Sequence, residues 1–320
     1  MTQLRIVFMG TPEFAVSILE TLVNSSQINI VGVVTAPDKP AGRGRQIKMS
    51  AVKEFSLNHD LVLLQPPNLK DSEFIKELTE LNAELFVVVA FRMLPEVVWS
   101  MPQKGTINLH ASLLPQYRGA APINWTIING ESRSGVTTFF IEKEIDTGKI
   151  IEQRSLVIGS NESVGDLYSR LMKLGAETTL SSVLKIKEGN VVGISQDDTI
   201  LNEKRRIAPK IFKNDCRIDF RKTAQEVHNF CRGLDPFPGA WCEFNMGNES
   251  ITKTFKLFST LITDLSSDSK SKITKNELGI LIPCSDFYLL VKEIQSDGKR
   301  KMTSKDYLVG HDIEGYTISY

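Results

Sequence analysis

Within the run TINLHASLLPQYRGAAPI, residues 106–123, an amide and an imidazole stand two positions apart, Asn108 and His110. On an extended strand that spacing puts both side chains on one face. An amide N–H can donate to an oxygen on which negative charge develops, and an imidazole moves a proton in either direction near neutrality. The pair therefore suits acyl transfer through a tetrahedral intermediate. Farther on, FFIEKEIDTGKII places Asp146 in a turn, with Gly148 behind it to permit a tight backbone. A carboxylate that reaches His110 would set its tautomer, orient the ring and stabilise its cation. Taken singly, each residue also has a plainer reading: Asn108 and His110 capping a strand end, and Asp146 bonding its own turn.

Such side chains need a rigid frame, and the sequence supplies one. From Leu4 to Leu184, short apolar runs alternate with segments of helical period: LRIVFM (4–9), INIVGVV (28–34), LVLL (61–64), LFVVVA (85–90), TINLH (106–110) and VTTFFI (136–141). This alternation predicts βαβ units and an α/β, Rossmann-like, mostly parallel sheet. Runs this continuously apolar suit strands buried on both faces. PEFAVSILETLVNS (12–25) opens with Pro12, which fits the first turn of a helix, and 163–187 repeats apolar residues at helical spacing. Open α/β sheets hold ligands at the carboxyl ends of their strands, and His110 ends one. The first loop, MGTPEF (9–14), has one glycine where a dinucleotide fingerprint has three, and reads as an ordinary strand-to-helix turn.

A chain of 320 residues exceeds one ordinary domain. The 38 basic and 38 acidic residues cancel, which excludes a tail-driven nucleic-acid binder and requires any polyanion to be met by a local patch. Cys216, Cys231, Cys242 and Cys284 contain no CxxC and indicate neither a disulfide framework nor a zinc ribbon. His59, His228 and His311 lack ligand spacing, so no metal is expected. The apolar stretch Leu4 to Met9 is too short for a signal-peptide core, and no stretch has the length of a membrane span; a cytoplasmic protein with reduced thiols is expected. After Lys187 a polar segment leads to a helix candidate at 223–233. Alternating runs follow at 241–245, 254–258, 278–282 and 287–294, the pattern of a small barrel or sandwich. Residues 266–275 read as a solvated loop without an apolar anchor.

Asn108, His110, the run Ser112-Leu113-Leu114-Pro115 and Asp146-Thr147-Gly148 resemble the motifs of folate-dependent formyltransferases. The resemblance implies that Asn108, His110 and Asp146 surround a transferred formyl group. It also implies that Ser112, Leu113, Leu114 and Pro115, with Ala90, Phe91, Met93 and Leu94, hold 10-formyltetrahydrofolate as co-substrate, without a metal.

The segment TAPDKPAGRGRQIKMSAVK (35–53) is made irregular by its glycines and prolines, and sets Lys39, Arg43, Arg45 and Lys48 against Asp38. A flexible basic loop suits phosphate contacts; it is equally the composition of a solvated insertion. Its PDKPAGRG resembles the methionyl-tRNA branch of the family, and so do YRGAAPINW, APKIFKNDCRIDF and GLDPFPGAW. That branch implies initiator methionyl-tRNA as partner, with Arg43 entering the acceptor end, Lys39 and Arg45 beside it, and Lys204, Arg205, Arg206, Lys210 and Lys213 as further contacts. It also implies a catalytic domain at 1–190, a basic linker at 191–207, an OB-like tRNA-binding domain at 208–320, and a monomer. Two rival readings share the motifs: an amino-sugar-nucleotide formyltransferase, which needs no basic loop, and a non-catalytic RNA-binding protein on the same scaffold.

Overall fold

The N-terminal apolar runs become the strands of one sheet. A computed structural model describes residues 2–41, 46–197, 205–246, 252–268, 272–313 and 316–319. In chain order the first part contains β1 (Leu4–Gly10), α1 (Glu13–Val23), β2 (Ile28–Val34), β3 (Lys39–Ala41), β4 (Gln46–Lys48), α2 (Ala51–Asn58), β5 (Leu63–Leu64), α3 (Ser72–Glu80) and β6 (Leu85–Val89). It continues with α4 (Glu96–Trp99), β7 (Thr106–His110), β8 (Arg118–Gly119), α5 (Pro122–Ile128), β9 (Arg133–Phe140), β10 (Ile150–Val157), α6 (Val164–Glu188) and β11 (Ile207–Ala208). The sheet order is β10-β9-β7-β6-β1-β2-β5. β1, β2, β5, β6 and β7 pair in parallel, and β9 runs antiparallel to β7. β1 lies inside the sheet between β6 and β2, and its Ile6, Val7, Phe8 and Met9 are completely buried, which is why its sequence is continuously apolar. The chain builds outward from β1 through β2 to β5, then returns to lay β6 on the other side of β1. That reversal opens a crevice at the carboxyl ends of the strands.

Two features depart from the sequence pattern. The edge strand β10 carries no apolar run, because only alternate side chains turn inward along IIEQRSLV. The segment after β2 is not wholly irregular: β3 and β4 form a short hairpin with Lys39 level with Lys48.

The chain packs as two units, one made of Met1–Gly119, Gly135–Leu156 and Ser169–Ile207, the other of Ala120–Ser134, Val157–Tyr168 and Ala208–Tyr320. Two stretches that precede residue 190 thus belong with the C-terminal unit. That unit adds α7 (Ala224–Gly233), β12 (Ala240–Met246), β13 (Thr252–Ser266), β14 (Thr274–Asn276), β15 (Gly279–Pro283), β16 (Phe287–Ser296), β17 (Met302–Thr303), α8 (Ser304–Gly310) and β18 (Tyr316–Ser319). Its antiparallel sheet, ordered β14-β15-β16-β13-β12-β18, curls as an OB-like half-barrel around Phe220, Val227, Phe255, Leu257, Ile280 and Tyr307. All four cysteines are free and buried there, and burial pushes the Cys284 thiol up to about 12. The described part of 266–275 is not the unanchored loop its charges suggest: β13 extends through Ser266, β14 begins at Thr274, and Ile273 is buried in the core, while 269–271 lie outside the described residues. Among the described residues no helix is long and apolar enough to cross a membrane.

Helix α7 fastens the early stretches to this unit. Its capping box, Thr223 with Glu226, starts the helix, and Asn124 Nδ2 donates to the Gly233 carbonyl at 2.8 Å. Buried Arg232 donates to the carbonyls of Gly159 and Glu162, and His228 Nε2 donates to Ser160 O at 3.1 Å. On its other side His228 Nδ1 lies 2.9 Å from the Thr260 hydroxyl. Burial pushes the His228 pKa down, so the folded unit holds the ring neutral while the unfolded chain binds a proton below about pH 6.5. Stability should therefore be fully present above that pH and decline as pH falls through it. Melting temperature measured across this range should show the decline, and His228→Gln should flatten it.

Candidate active site

β7 delivers the two sequence-identified side chains. Asn108 and His110 share a face of the strand, and Val88 and Val89 of β6 lie level with Asn108 and Leu109, so Ala90 and His110 leave the sheet side by side. Ala90 is exposed and held at φ +46°, a left-handed conformation unusual for a residue with a side chain. His110 is buried, whereas Asn108 is half-buried and its amide makes no hydrogen bond to the described residues. An amide left without a partner beside a fixed imidazole is available to a bound oxygen.

The histidine is oriented by the backbone. Its Nε2 lies 2.8 Å from the carbonyl oxygen of Tyr117. A carbonyl can only accept, so Nε2 carries the hydrogen and the neutral ring keeps its lone pair on Nδ1. Asp146 Oδ2 stands 3.8 Å from that Nδ1, both side chains almost wholly shielded. The sequence suggests that Asp146 sets the tautomer; in the structure Tyr117 does so from the opposite nitrogen. The Asp146 carboxylate accepts instead from Gly119 N at 3.1 Å, and 3.8 Å is longer than a hydrogen bond. The carboxylate is still close enough to stabilise positive charge on the ring.

The loop between His110 and Tyr117 is pinned by hydrogen bonds from buried Ser112 and Thr137 and from the exposed Gln153. Thr137 on β9 donates its hydroxyl to Ser112 O at 2.7 Å and accepts from Leu114 N at 3.1 Å. Gln153 on β10 donates to Leu114 O at 2.7 Å and to the Thr137 hydroxyl at 2.9 Å. Ser112 donates to Gln116 O at 2.7 Å, while Leu114 packs against Phe139 and Ile150 and Pro115 is buried. Gly148 closes the Asp146 turn, where any β-carbon would strike the carbonyl of Phe140.

The loop after β6 divides. Leu94 is buried in the cluster of Val7, Met9, Phe74 and Phe86, Phe91 packs half-buried against that cluster, and Met93 is 72% exposed. Met93 and Leu94 also line a surface cavity with Pro67, Leu69 and Lys70.

The basic residues are dispersed. Lys39 is exposed on the β3–β4 hairpin, and Arg43, Arg45 and Lys204 lie outside the described residues. The base of the hairpin is braced by Asp38, which pairs with Lys53 Nζ at 2.6 Å and accepts from Gln65 at 3.1 Å; those bonds hold its carboxyl below the usual range. Arg205 pairs with Asp197 at 2.6 Å. Arg206 is bound to the active-site loop: its carbonyl accepts from Tyr117 N at 2.7 Å, its N–H donates to Gln116 Oε1 at 2.8 Å, and its guanidinium reaches the Tyr117 hydroxyl. In the C-terminal unit Lys210 lies over the Phe212 ring, and Lys213 is exposed.

Tyr117, Thr137, Gln153 and Gln196, which contacts the Asp146 turn, were not legible as site residues. Each acts through a backbone group or a buried hydrogen bond, and neither leaves a spacing pattern. Only Tyr117 fell inside a run, YRGAAP, that marked itself.

Two family models match successive parts of the chain. Residues 4–184 match the family described as "Formyl transferase", and residues 210–312 match "Formyl transferase, C-terminal domain". The chain is 50% identical, over the full length of both proteins, to the methionyl-tRNA formyltransferase of Flavobacterium psychrophilum. It is 47% identical to the enzyme of that name from Bacteroides fragilis, over 97% of this chain and 96% of that one. Among solved structures it resembles an N-formyltransferase from Helicobacter canadensis in complex with folinic acid and dTDP-3-aminofucose. There the TM-score is 0.63 at 20% identity, covering 92% of this chain and all of the other. At that identity the likeness is one of fold.

Thr137→Val would strand the Leu114 N–H and the Ser112 carbonyl in the interior at about 1–3 kcal/mol for each unpaired group. Thr137→Ser keeps the hydroxyl. Denaturant unfolding should show a clear loss for the valine variant and a small one for the serine variant.

Proposed function

The chain belongs to the formyl transferase family, and on that premise we propose that it transfers the formyl group of 10-formyltetrahydrofolate to the α-amine of methionine esterified to initiator tRNA, yielding formylmethionyl-tRNA for translation initiation. The geometry that supports this reading is the apposition of the uncommitted Asn108 amide with the His110 imidazole, whose Nδ1 faces Asp146. The choice of acceptor rests on the full-length relatives and on the basic hairpin.

In this scheme the amine lone pair forms a bond to the formyl carbon, and the carbonyl electrons move onto the oxygen. Asn108 donates to that oxygen, a contribution typically worth about 10²–10³ in rate. His110 Nδ1 accepts the proton that the amine loses. The ring then bears positive charge, stabilised by Asp146, while Nε2–H stays on the Tyr117 carbonyl. Collapse breaks the bond from carbon to N10, and His110 returns the proton to the departing nitrogen. Amine, oxygen and leaving group are all served by these side chains, so no step in the scheme uses a metal.

The folate would lie between Ala90, Phe91, Met93 and Leu94 on one side and Ser112, Leu113, Leu114 and Pro115 on the other. Ala90 is exposed at the strand end, and hydrogen bonds pin the SLLP loop that would form the facing wall. Lys39 of the hairpin, together with Arg43 and Arg45, would engage the tRNA acceptor end, with Lys204, Arg205, Arg206, Lys210 and Lys213 along its backbone. Selection would come from the ease of opening the terminal pair, because the deep groove of an RNA duplex admits no side-chain readout. The protein would act in the cytoplasm as a monomer, without membrane association.

The purified protein, given 10-formyltetrahydrofolate, should formylate initiator methionyl-tRNA. Elongator methionyl-tRNA, glycinamide ribonucleotide and an amino-sugar nucleotide should stay unmodified; transfer to the sugar alone would overturn the choice of acceptor. Asn108→Ala and His110→Ala should each lower turnover by about 10²-fold or more while preserving tRNA affinity. Arg43→Ala should weaken transfer to tRNA and leave folate binding intact, as measured by KM for tRNA and by folate titration.

A further inference from the structure

The turn that carries Asp146 is held by a residue outside every motif described above. After α6 the chain returns as a strap, Gly193 to Gln196, onto the start of β10. Ile194 and Ile150 exchange two backbone hydrogen bonds of 2.8 and 2.9 Å, and a β-carbon on Gly193 would stand only 2.8 Å from that of Lys149. This close seat places Gln196, 2% exposed, against the turn. Its Nε2 donates to the carbonyls of Asp146 and Gly148 at 2.9 and 2.8 Å. Its Oε1 accepts from Arg118 Nε and Nη2 at 3.1 and 2.5 Å. Two carbonyls demand the amide's N–H groups and a guanidinium demands its oxygen, so the amide can face only this way.

The consequence falls on Asp146. Its backbone is left-handed, φ +56°, an arrangement that a non-glycine residue keeps only where its surroundings enforce it. Gln196 clamps the carbonyls on both sides of Thr147, and through Arg118 it also grips the residue before Gly119, whose N–H holds the Asp146 carboxylate. One side chain thus restrains both the main chain of Asp146 and the donor to its carboxylate.

We infer that Gln196 is a positioning residue for formyl transfer, fixing the Asp146 carboxylate beside His110 by tying the turn to Arg118. The inference rests on the reading of Asp146 as part of the reacting group. Gln196→Met removes all four bonds at nearly constant volume, and Gln196→Glu keeps an acceptor for Arg118 but loses both donations to the turn. Both should lower kcat by about 10- to 100-fold through misplacement of the carboxylate, with KM for folate and for tRNA nearly unchanged. The decisive measurement is a double-mutant cycle with Asp146→Asn: once the carboxylate is gone, adding Gln196→Met should cost almost nothing further. An equal cost in both backgrounds, or an unchanged kcat in the single variants, would overturn the inference. If methionine prevents folding, the glutamate variant carries the same cycle. Full activity of Asp146→Asn alone would instead refute the role given to Asp146, a result read without reference to Gln196.

Discussion

The hydrogen bond from His110 Nε2 to the Tyr117 carbonyl is the constraint on which the rest of the site depends. It fixes where the ring proton sits, hence which nitrogen can act as a base, and it does so with a backbone group that cannot ionise or rotate away. The partner is seven residues downstream, so the bond closes a loop whose course must itself be fixed. Tyr117 lies at φ +62°, and this orientation of its carbonyl is kept by the bond from its N–H to Arg206 O and by the hydroxyls of Ser112 and Thr137 along the intervening loop. The course of the SLLP run and the tautomer of the histidine are therefore products of one pinned loop.

The sheet supplies what the loop cannot. Parallel strands β6 and β7 end level with each other, which puts the end of β6 beside the Asn108–His110 pair. The antiparallel addition of β9 brings Thr137 opposite His110 and carries the chain on to the Asp146 turn. A wholly parallel continuation would have sent the chain through a crossover at that point, away from His110. The change of strand direction at β9 is thus what returns the chain to His110 at the Asp146 turn. Neither Arg206 nor Gln196 belongs to a strand of this sheet, yet each ties the segment that follows α6 to one side of the reacting group.

How much of this was legible in the sequence depended on where the determining force lies. The strands β1, β2 and β7 could be read almost residue for residue, because burial on both faces writes itself as a continuous apolar run. The strand β10 could not, since an edge strand buries only alternate residues. Residues 272–275 misled because their charges outnumber the single buried Ile273. Asn108, His110 and Asp146 stood out by type and spacing, and the structure brings them near one another. The role of Asp146 in setting the tautomer was not realised, because the group that does so is a main-chain carbonyl, which every residue possesses and no sequence distinguishes. Gln196 was hidden for a similar reason: its stretch, EGNVVGISQDD, is polar and Gly-containing, the composition of a surface connection, while its side chain is buried.

The central claim, that the backbone of Tyr117 dictates the chemistry available at His110, is tested most directly by heteronuclear NMR of the histidine ring nitrogens, with His110 assigned by comparison with the His110→Ala protein. In the free enzyme near neutral pH the neutral ring should carry its proton on Nε2 and leave Nδ1 bare. A proton on Nδ1 with Nε2 bare would contradict the account, because the Tyr117 carbonyl could not then be its partner and the base would face away from Asp146.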